Sequence, residues 1–569
     1  MIRSTFAGFT TAQLGMAASQ RALDIVGQNI TNINTPGYTK QRLDITSLNF
    51  QKGDFYNAKS NIKVGFGVEM TGISQLRDPF LDAQYRSQIS KLGTTDAHAA
   101  GFEKITPVFD EATMQGVRAA FISLTSSLST LSTQVGNKEN DTLVRSNMQI
   151  LLNLFRENAV KLQDVREDVQ MGFKTTDLAD LNQMLENISN LNINIKNSQI
   201  LGNPALELKD QRNLLLDELG SYLPITVRYK DQEVGPGQTV ETLHVDFTDS
   251  EGVKHSLISD SQFARFDADV ENQPVELTLF DAKGATVDIT NVLGSGTLKG
   301  TLDFLNKSGD FDGSDFKGLG YYEKTLDSLV ATFAKEFNKA NIPYDEYGHR
   351  TNLKDEDGKT IIPKDKNGDP IYALDEKGQK IQAVDKDGNP LKDANGDPVY
   401  LYSYALFETL DGTDNFSASN IKIADNWANG TYGITASNNY VITDEETGTT
   451  ANENILNMVK LLEKSTTFTA ANTAGNQITF YKGSFHDCFA NLEVTLGIDY
   501  KSANTMLANQ ISVLNETANS RDAVSGVQLD EEGMDLLHYN QSYSAAARFM
   551  TTLDEALDKL INGTGVVGR

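Results

Sequence analysis

Carboxylates in a fixed rhythm are the first candidates for chemistry. Asp355, Asp365, Asp375 and Asp385 stand ten residues apart, each followed three positions later by Gly358, Gly368, Gly378 and Gly388, and a fifth copy runs from Asp393 to Gly396. Such a repeat invites a calcium reading. An EF-hand loop needs oxygen ligands at positions 1, 3 and 5, Gly at 6 and Glu at 12. Counted from Asp385, the glycine falls at position 4 and Pro390 at position 6, so the ligand spacing fails. Turn geometry fits instead: Asp-x-x-Gly closes a type I turn, with the glycine left-handed in the bulge that follows. The short apolar stretches between, such as Ile371-Tyr372-Ala373-Leu374, then read as strands of a surface β-meander.

Other reactive types are sparse. The six histidines (His98, His244, His255, His349, His486, His538) lie in different segments, and no His-Glu-x-x-His motif occurs. His486-Asp487-Cys488 is the one compact ligand cluster, and three adjacent residues are more often incidental than a metal site. Gly65-Phe66-Gly67 is a glycine pair before a strand at Val68 to Met70, and no phosphate-binding Gly-x-x-x-x-Gly-Lys-Ser/Thr loop is present. We expect no catalytic residue, no cofactor and no metal. A single cysteine, Cys488, forbids an internal disulfide. With 50 Lys+Arg against 77 Asp+Glu, the formal charge of -27 repels phosphate backbones and anionic leaflets, so neither nucleic acid nor membrane is an expected partner. Composition and the polar first twenty residues point to the cytoplasm, without a signal peptide or membrane span.

With chemistry thin, packing must carry the function. A 3.5-residue apolar repeat appears at both ends. It runs Phe9, Ala12, Met16, Ser19, Leu23, Val26, Ile30, Ile33, and again Leu529, Glu532, Leu536, Tyr539, Tyr543, Ala546, Met550, Leu553, Leu557, Leu560. Such seams supercoil around partners. The first fifty residues carry a net +2 and residues 521–569 a net -4, which favours pairing of the two ends. Seams without a local partner would instead be disordered in the free chain and fold on assembly. Residues 107–220 carry three more helical stripes, through Phe121 to Val135, Val144 to Val169 and Leu181 to Ile195, broken at 136–141 and at Gly202-Asn203-Pro204 into long antiparallel rods. From Pro224 the period changes to two, as in Ile225, Val227, Tyr229 and in Leu243, Val245, Phe247.

The predicted fold is thus α+β and multidomain. Terminal coiled-coil helices and long antiparallel helical rods carry an antiparallel β outer domain and an inserted β-meander. Its expected segments are 1–50 (amino-terminal helix and exit), 51–106 (extended or helical linker), 107–222 (helical domain) and 223–341 (β-rich domain with a return helix). They continue with 342–403 (the meander), 404–500 (further β domain and return helix) and 501–569 (carboxyl-terminal helices).

The exit Asn29-Ile30-Thr31-Asn32-Ile33-Asn34-Thr35-Pro36-Gly37-Tyr38 resembles the amino-terminal signature of flagellar rod, hook and hook-associated axial proteins. Asn and Thr can bond locally to backbone, Pro36 blocks the helix and Gly37 allows the turn. Residues 525–532 and 539–548 resemble the partner signature at the other end. The run Leu208-Lys209-Asp210-Gln211-Arg212-Asn213-Leu214-Leu215-Leu216-Asp217-Glu218-Leu219, with Gly300 to Phe304 and Ala405-Leu406-Phe407, is similar to the first hook-associated proteins. Residues 342–403 then read as an insertion into that plan.

The resemblance implies a structural subunit exported through the flagellar type III apparatus and built into the extracellular hook–filament junction. Its partners would be copies of itself in a ring, hook protein, the second junction protein and an export chaperone. Assembly residues would be Phe9, Met16, Leu23, Val26, Asn29, Ile30, Asn32, Asn34, Pro36, Gly37 and Tyr38 at one end. At the other they would be Leu529, Leu536, Tyr539, Tyr543, Met550, Leu553, Leu557 and Leu560, where the chaperone also binds. Two alternatives stand beside this: another axial protein, hook-like or flagellin-like, or a flagellum-displayed adhesin acting through the insert.

Overall fold

A computed structural model describes residues 5–48, 65, 67–109, 116–135, 137–235, 238–345, 348–355, 357–375, 377–436 and 452–563. Expectations for 49–64 and for a strand through 437–445 lie outside the described residues.

The chain leaves and returns along one pair of helices. Helix α1 (Thr5–Thr31) leads into a two-stranded antiparallel ribbon, β1 (Gln41–Ser47) with β2 (Val68–Gln75). Helix α2 (Pro79–Ile105) starts cleanly: Asp78 accepts from the Phe80 amide and Pro79 supplies the helical φ. The rods follow as α3 (Val117–Thr133), α4 (Lys138–Gly172), α5 (Leu178–Ile200) and α6 (Leu206–Tyr222). Asn137 caps α4 through the amides of Glu139 and Asn140. A π-helical segment, Phe173–Asp177, joins α4 to α5 into one rod of about 90 Å at 1.5 Å per residue, a continuity the apolar pattern did not announce.

The outer β region has two antiparallel sheets. One orders β3 (Ile225–Gly235), β4 (Gln238–Thr248), β5 (Lys254–Ser259) and β6 (Gln262–Phe263); the other orders β7 (Arg265–Asp269), β8 (Glu276–Phe280) and β9 (Thr286–Asp288). Helices α7 (Thr297–Asn306) and α8 (Leu319–Ala340) return inward. Then come β10 (Phe407–Thr409) with β11 (Ile421–Ile423), α9 (Asp425–Ala428), α10 (Glu453–Glu463), and the hairpin of β12 (Thr466–Ala471) with β13 (Gln477–Gly483). Helix α11 (Phe485–Ser525) runs unbroken through residue 500, and α12 (Leu529–Gly563) closes the chain.

Two cores hold this together. The first gathers α2, α3, α4, α8, α10 and the start of α11 around Phe121, Phe155, Phe333 and Phe485, whose rings contact one another. The second packs α5, α6 and α7 on the β-sheets through Leu181, Leu219, Val245, Phe266 and Leu302. The landmark Gly300 sits where α7 crosses α2: a Cβ there would lie 2.6 Å from the Thr94 carbonyl oxygen. Leu406 and Phe407 are buried, and both of their amides donate to Asn338 Oδ1 at 2.8 Å. His486-Asp487-Cys488 proves to be a helix start. Asp487 completes a capping box with Ser484, while Cys488 is buried, which pushes its thiol pKa up.

The inserted segment forms the expected turns, with each repeat glycine at positive φ and each aspartate Oδ1 accepting from the amides two and four residues on. A further turn, Asp345 to Gly348, precedes the five seen in the sequence. The hairpins do not lie flat. Ala373 N donates to Leu401 O, Leu401 N to Ile381 O and Ile381 N to Ala373 O, a closed three-way rung; Ala383, Val399 and Leu391 repeat it. The Tyr404 hydroxyl makes a third corner, accepting from Leu353 N and donating to Ile361 O. The segment is therefore a three-sided rod in which 399–404 touches rung after rung, so its pairing is longer-range than neighbouring hairpins alone would give.

Candidate assembly interface

Helix α1 ends as its residue types dictate. Thr31 Oγ1 bonds the carbonyls of Gly27 and Gln28, Asn32 Nδ2 donates to Gln28 O at 2.9 Å, and Thr35 N to Asn32 O at 2.9 Å. Gly37 has φ +76°, and a Cβ there would come within 3.3 Å of Leu214 Cβ on α6. The chain reverses so that Tyr38 can reach back to Asn29.

Asn29 is the hub. It is 1% exposed. Its Nδ2 donates to Gln41 O and to Glu532 Oε2, both at 3.0 Å, and its Oδ1 accepts from Gln41 N at 3.0 Å and Tyr38 OH at 2.9 Å. Glu532 is 0% exposed, with Lys40 Nζ 3.1 Å from its Oε1 and 2.9 Å from Glu531 Oε2. Burial disfavours the Lys40 ammonium, but bonds to Glu531 and Glu532 outweigh it and raise its pKa. Burial, then the charges of Asp210, Glu207 and Glu532, push the Tyr38 phenol up, so it stays a donor. Asp210 on α6 takes Thr39 N at 3.2 Å and Thr39 Oγ1 at 2.6 Å; burial raises its pKa while the Thr39 bonds oppose the rise. The amino-terminal signature, the carboxyl-terminal signature and the α6 landmark thus meet at one joint.

From the joint, α1 and α12 run antiparallel in register. A Cβ on Gly8 would lie 2.9 Å from Leu553 Cδ1, one on Gly15 3.8 Å from Ala546 Cβ, and Asn29 bonds Glu532. Each step of seven along one helix is matched by a step of seven back along the other, which puts Ala22 opposite Tyr539. Small residues on α1 let larger ones on α12 come close. The terminal helices therefore do have a local partner, each other, contrary to the expectation that they lack one.

The expected assembly residues divide accordingly. Val26 and Asn29 are buried; Phe9, Met16, Leu23, Ile30, Asn32 and Tyr38 are half-buried; Asn34, Pro36 and Gly37 are exposed. On α12, Tyr539, Met550, Leu553 and Leu557 are half-buried, whereas Leu529, Leu536, Tyr543 and Leu560 stand in solvent beside Met534, Leu537, Phe549 and Ile561. Leu529, Leu536 and Tyr543, seven apart, line a flank next to the α1 contact, with Leu536 and Tyr543 each 39% exposed. Apolar periodicity missed the glycines, which carry no hydropathy signal, and the bonds of Lys40, Gln41 and Asp210. The detectable hints were the heptad Gly8, Gly15, Ala22, Asn29 and an acid, Glu532, standing at a seam position. Among the described residues no group of three or more His, Cys, Asp or Glu side chains is arranged to hold a metal, and no helix is long and apolar enough to cross a membrane.

A family model described as the flagellar hook-associated protein FlgK helical domain matches residues 102–343, ending where the inserted rod begins. A flagella basal body rod protein model matches 9–39, and the carboxyl-terminal model of flagellar basal body rod FlgEFG proteins matches 520–563, the two halves of the joint. The flagellar hook-associated protein 1 of Bacillus subtilis is 27% identical over 100% of both chains, and that of Escherichia coli 25% identical over 97% of this chain and 98% of its own. The solved flagellar hook junction protein FlgK from Burkholderia pseudomallei aligns with TM-score 0.49 and 14% identity over 78% of this chain and 100% of that one. With matches in the right order to both termini and the helical domain, and full-length alignment to relatives of one name, the chain is similar throughout to flagellar hook-associated protein 1, and these likenesses support a flagellar axial structural subunit.

Proposed function

We propose that this subunit builds the junction between hook and filament by packing its paired terminal helices against copies of itself. One observation carries the reading: α12 satisfies one side on α1 yet leaves Leu529, Leu536 and Tyr543, seven apart, exposed along one flank of a helix tied firmly to the body. Large apolar side chains repeated along one helix mark a binding face. In a ring, neighbouring terminal helices would bury that face, with hook protein and the second junction protein above and below. The work is packing, without catalysis. Export through the flagellar apparatus, with a chaperone shielding α12 beforehand, fits a face that should not meet solvent early. The test is electron microscopy of a strain lacking the gene. Bare hooks and flagellin shed into the medium are expected, restored by the intact gene; filaments of normal length would refute the assignment.

A further inference from the structure

Helix α6, which meets the joint through Asp210, touches three separate stretches of chain along one stripe. Glu207 Oε1 takes Gln41 Nε2 at 3.5 Å, Asp210 takes Thr39, Leu214 meets Gly37, and Asp217 lies one turn further on. Asp217 Oδ1 accepts from Arg86 Nε of α2 at 2.8 Å, and its Oδ2 from Arg521 Nη1 of α11 at 2.5 Å. Arg86 is 5% exposed, and its Nη2 is buried with no acceptor among the described residues, so Asp217 supplies its carboxylate. Arg521 also lies over the Tyr85 ring, 3.8 Å from its centroid. The other side of α6 belongs to the outer body: Leu216 and Leu219 sit in the second core, and Arg212 bonds Glu241 and Asn192.

We infer that α6 is a coupling bar that fixes the orientation of the axial helix pair relative to the outer β body, with Asp217 as its central positioning residue. The geometry favours this over plain core stability. The stripe contributes no residue to either hydrophobic core, and its partners are Gly37, Thr39 and Gln41 just after α1, Arg86 of α2, and Arg521 of α11, four residues before Ser525, whose carbonyl accepts from Lys40 N at 2.9 Å. One carboxylate shared by two guanidinium groups ties α2, which leads away from the ribbon after α1, and α11, which leads into α12, to the same point on α6. Removing its charge leaves two cations facing each other without a counter-ion, a buried arrangement that pushes the two helices apart. The inference concerns the free chain and does not require the assembly reading.

The test uses full-length protein with spin labels on cysteines placed at the exposed positions Asn540 of α12 and Asp231 of β3; buried Cys488 stays unlabelled. Asp217→Asn should broaden the distance distribution and speed hydrogen exchange in 77–86 and 517–525, while amides of α4 and β4 keep their rates. Glu218→Gln removes an exposed charge from the same helix and should match the parent. An unchanged distribution, or exchange accelerated uniformly through both cores, would overturn the positioning role. Should Asp217→Asn fail to fold, Arg521→Gln cuts only the α11 tie and must broaden the distribution; a narrow one there overturns the inference equally.

Discussion

Glu532→Ala removes the carboxylate that holds the start of α12 against the end of α1, and its cost can be worked from the contacts. Asn29 Nδ2 would keep Gln41 O as an acceptor and lose Glu532. A hydrogen bond to a charged group contributes about 1.5–3 kcal/mol. Lys40 retains Glu531 at 2.9 Å, so the penalty of about 3–5 kcal/mol for an orphaned buried charge does not apply. One buried methylene adds about 0.8 kcal/mol. The expected loss is about 3 kcal/mol, confined to the joint. The assay is exchange of the Gln41 amide, which donates to Asn29 Oδ1; at about 1.4 kcal/mol per decade it should speed up roughly a hundredfold. Glu532→Gln keeps an acceptor for Asn29 and should cost about 1 kcal/mol, near the net value of a neutral hydrogen bond. If Ala and Gln at this position gave the same Gln41 rate as the parent, the joint would not depend on Glu532 and the reasoning would fail.

Three further outcomes follow from the same geometry. Leu536→Asp, at a 39% exposed site, should change the melting temperature of the free subunit little yet abolish incorporation; Leu553→Asp, against Gly8, should also loosen the helix pair, seen as faster exchange in 8–20. Replacing the inserted rod by a short Gly/Ser bridge from Asn341 to Tyr404, whose ends already meet through Asn341 Nδ2 and Tyr404 O at 2.8 Å, should leave swimming halos and the melting temperature near those of the parent; Tyr404→Phe in the bridged variant should restore what its stranded hydroxyl costs. Asp177 is pushed up to about 6, first by burial and then by Asp180. A carboxyl pKa raised in the fold costs stability above that value, and the cost fades as pH falls from 6 to 4. Asp177→Asn should therefore be more stable than the parent at pH 7, by at most about 1 kcal/mol after solvent screening, with most of that difference gone at pH 4.

The sequence announced what depends on period and on turn chemistry. Long stripes such as Phe121 to Leu131 and Val144 to Leu162 lie in the first core because 3.6-residue spacing leaves them one face to bury. The Asn-Thr-Pro-Gly exit folds by local bonds, so it was readable locally. What stayed hidden depends on residues distant in sequence. Asn29 and Glu532 are 503 positions apart, and nothing local shows that a seam-position acid finds an amide there. The α4–α5 rod continues through a π segment that begins at Phe173, a residue of the second core, a continuity that hydropathy along one helix does not encode. The insert's hairpins were legible, but their winding into a three-sided rod is set by the returning stretch 399–404, which has no turn signal of its own. Leu536 and Leu553 share one apolar repeat, yet one faces solvent and the other faces Gly8; only the position of α1 separates them.

The central claim is that the exposed flank of α12 is the contact between copies, and photo-crosslinking in intact flagella tests it most directly. A benzophenone amino acid placed at Leu536 or Tyr543 should, on irradiation of assembled hooks and filaments, give covalent species of two or more subunits. The same label at Gln183 on the exposed side of α5 should give monomer alone. Monomer alone from Leu536 and Tyr543, in flagella that carry normal filaments, would contradict the account.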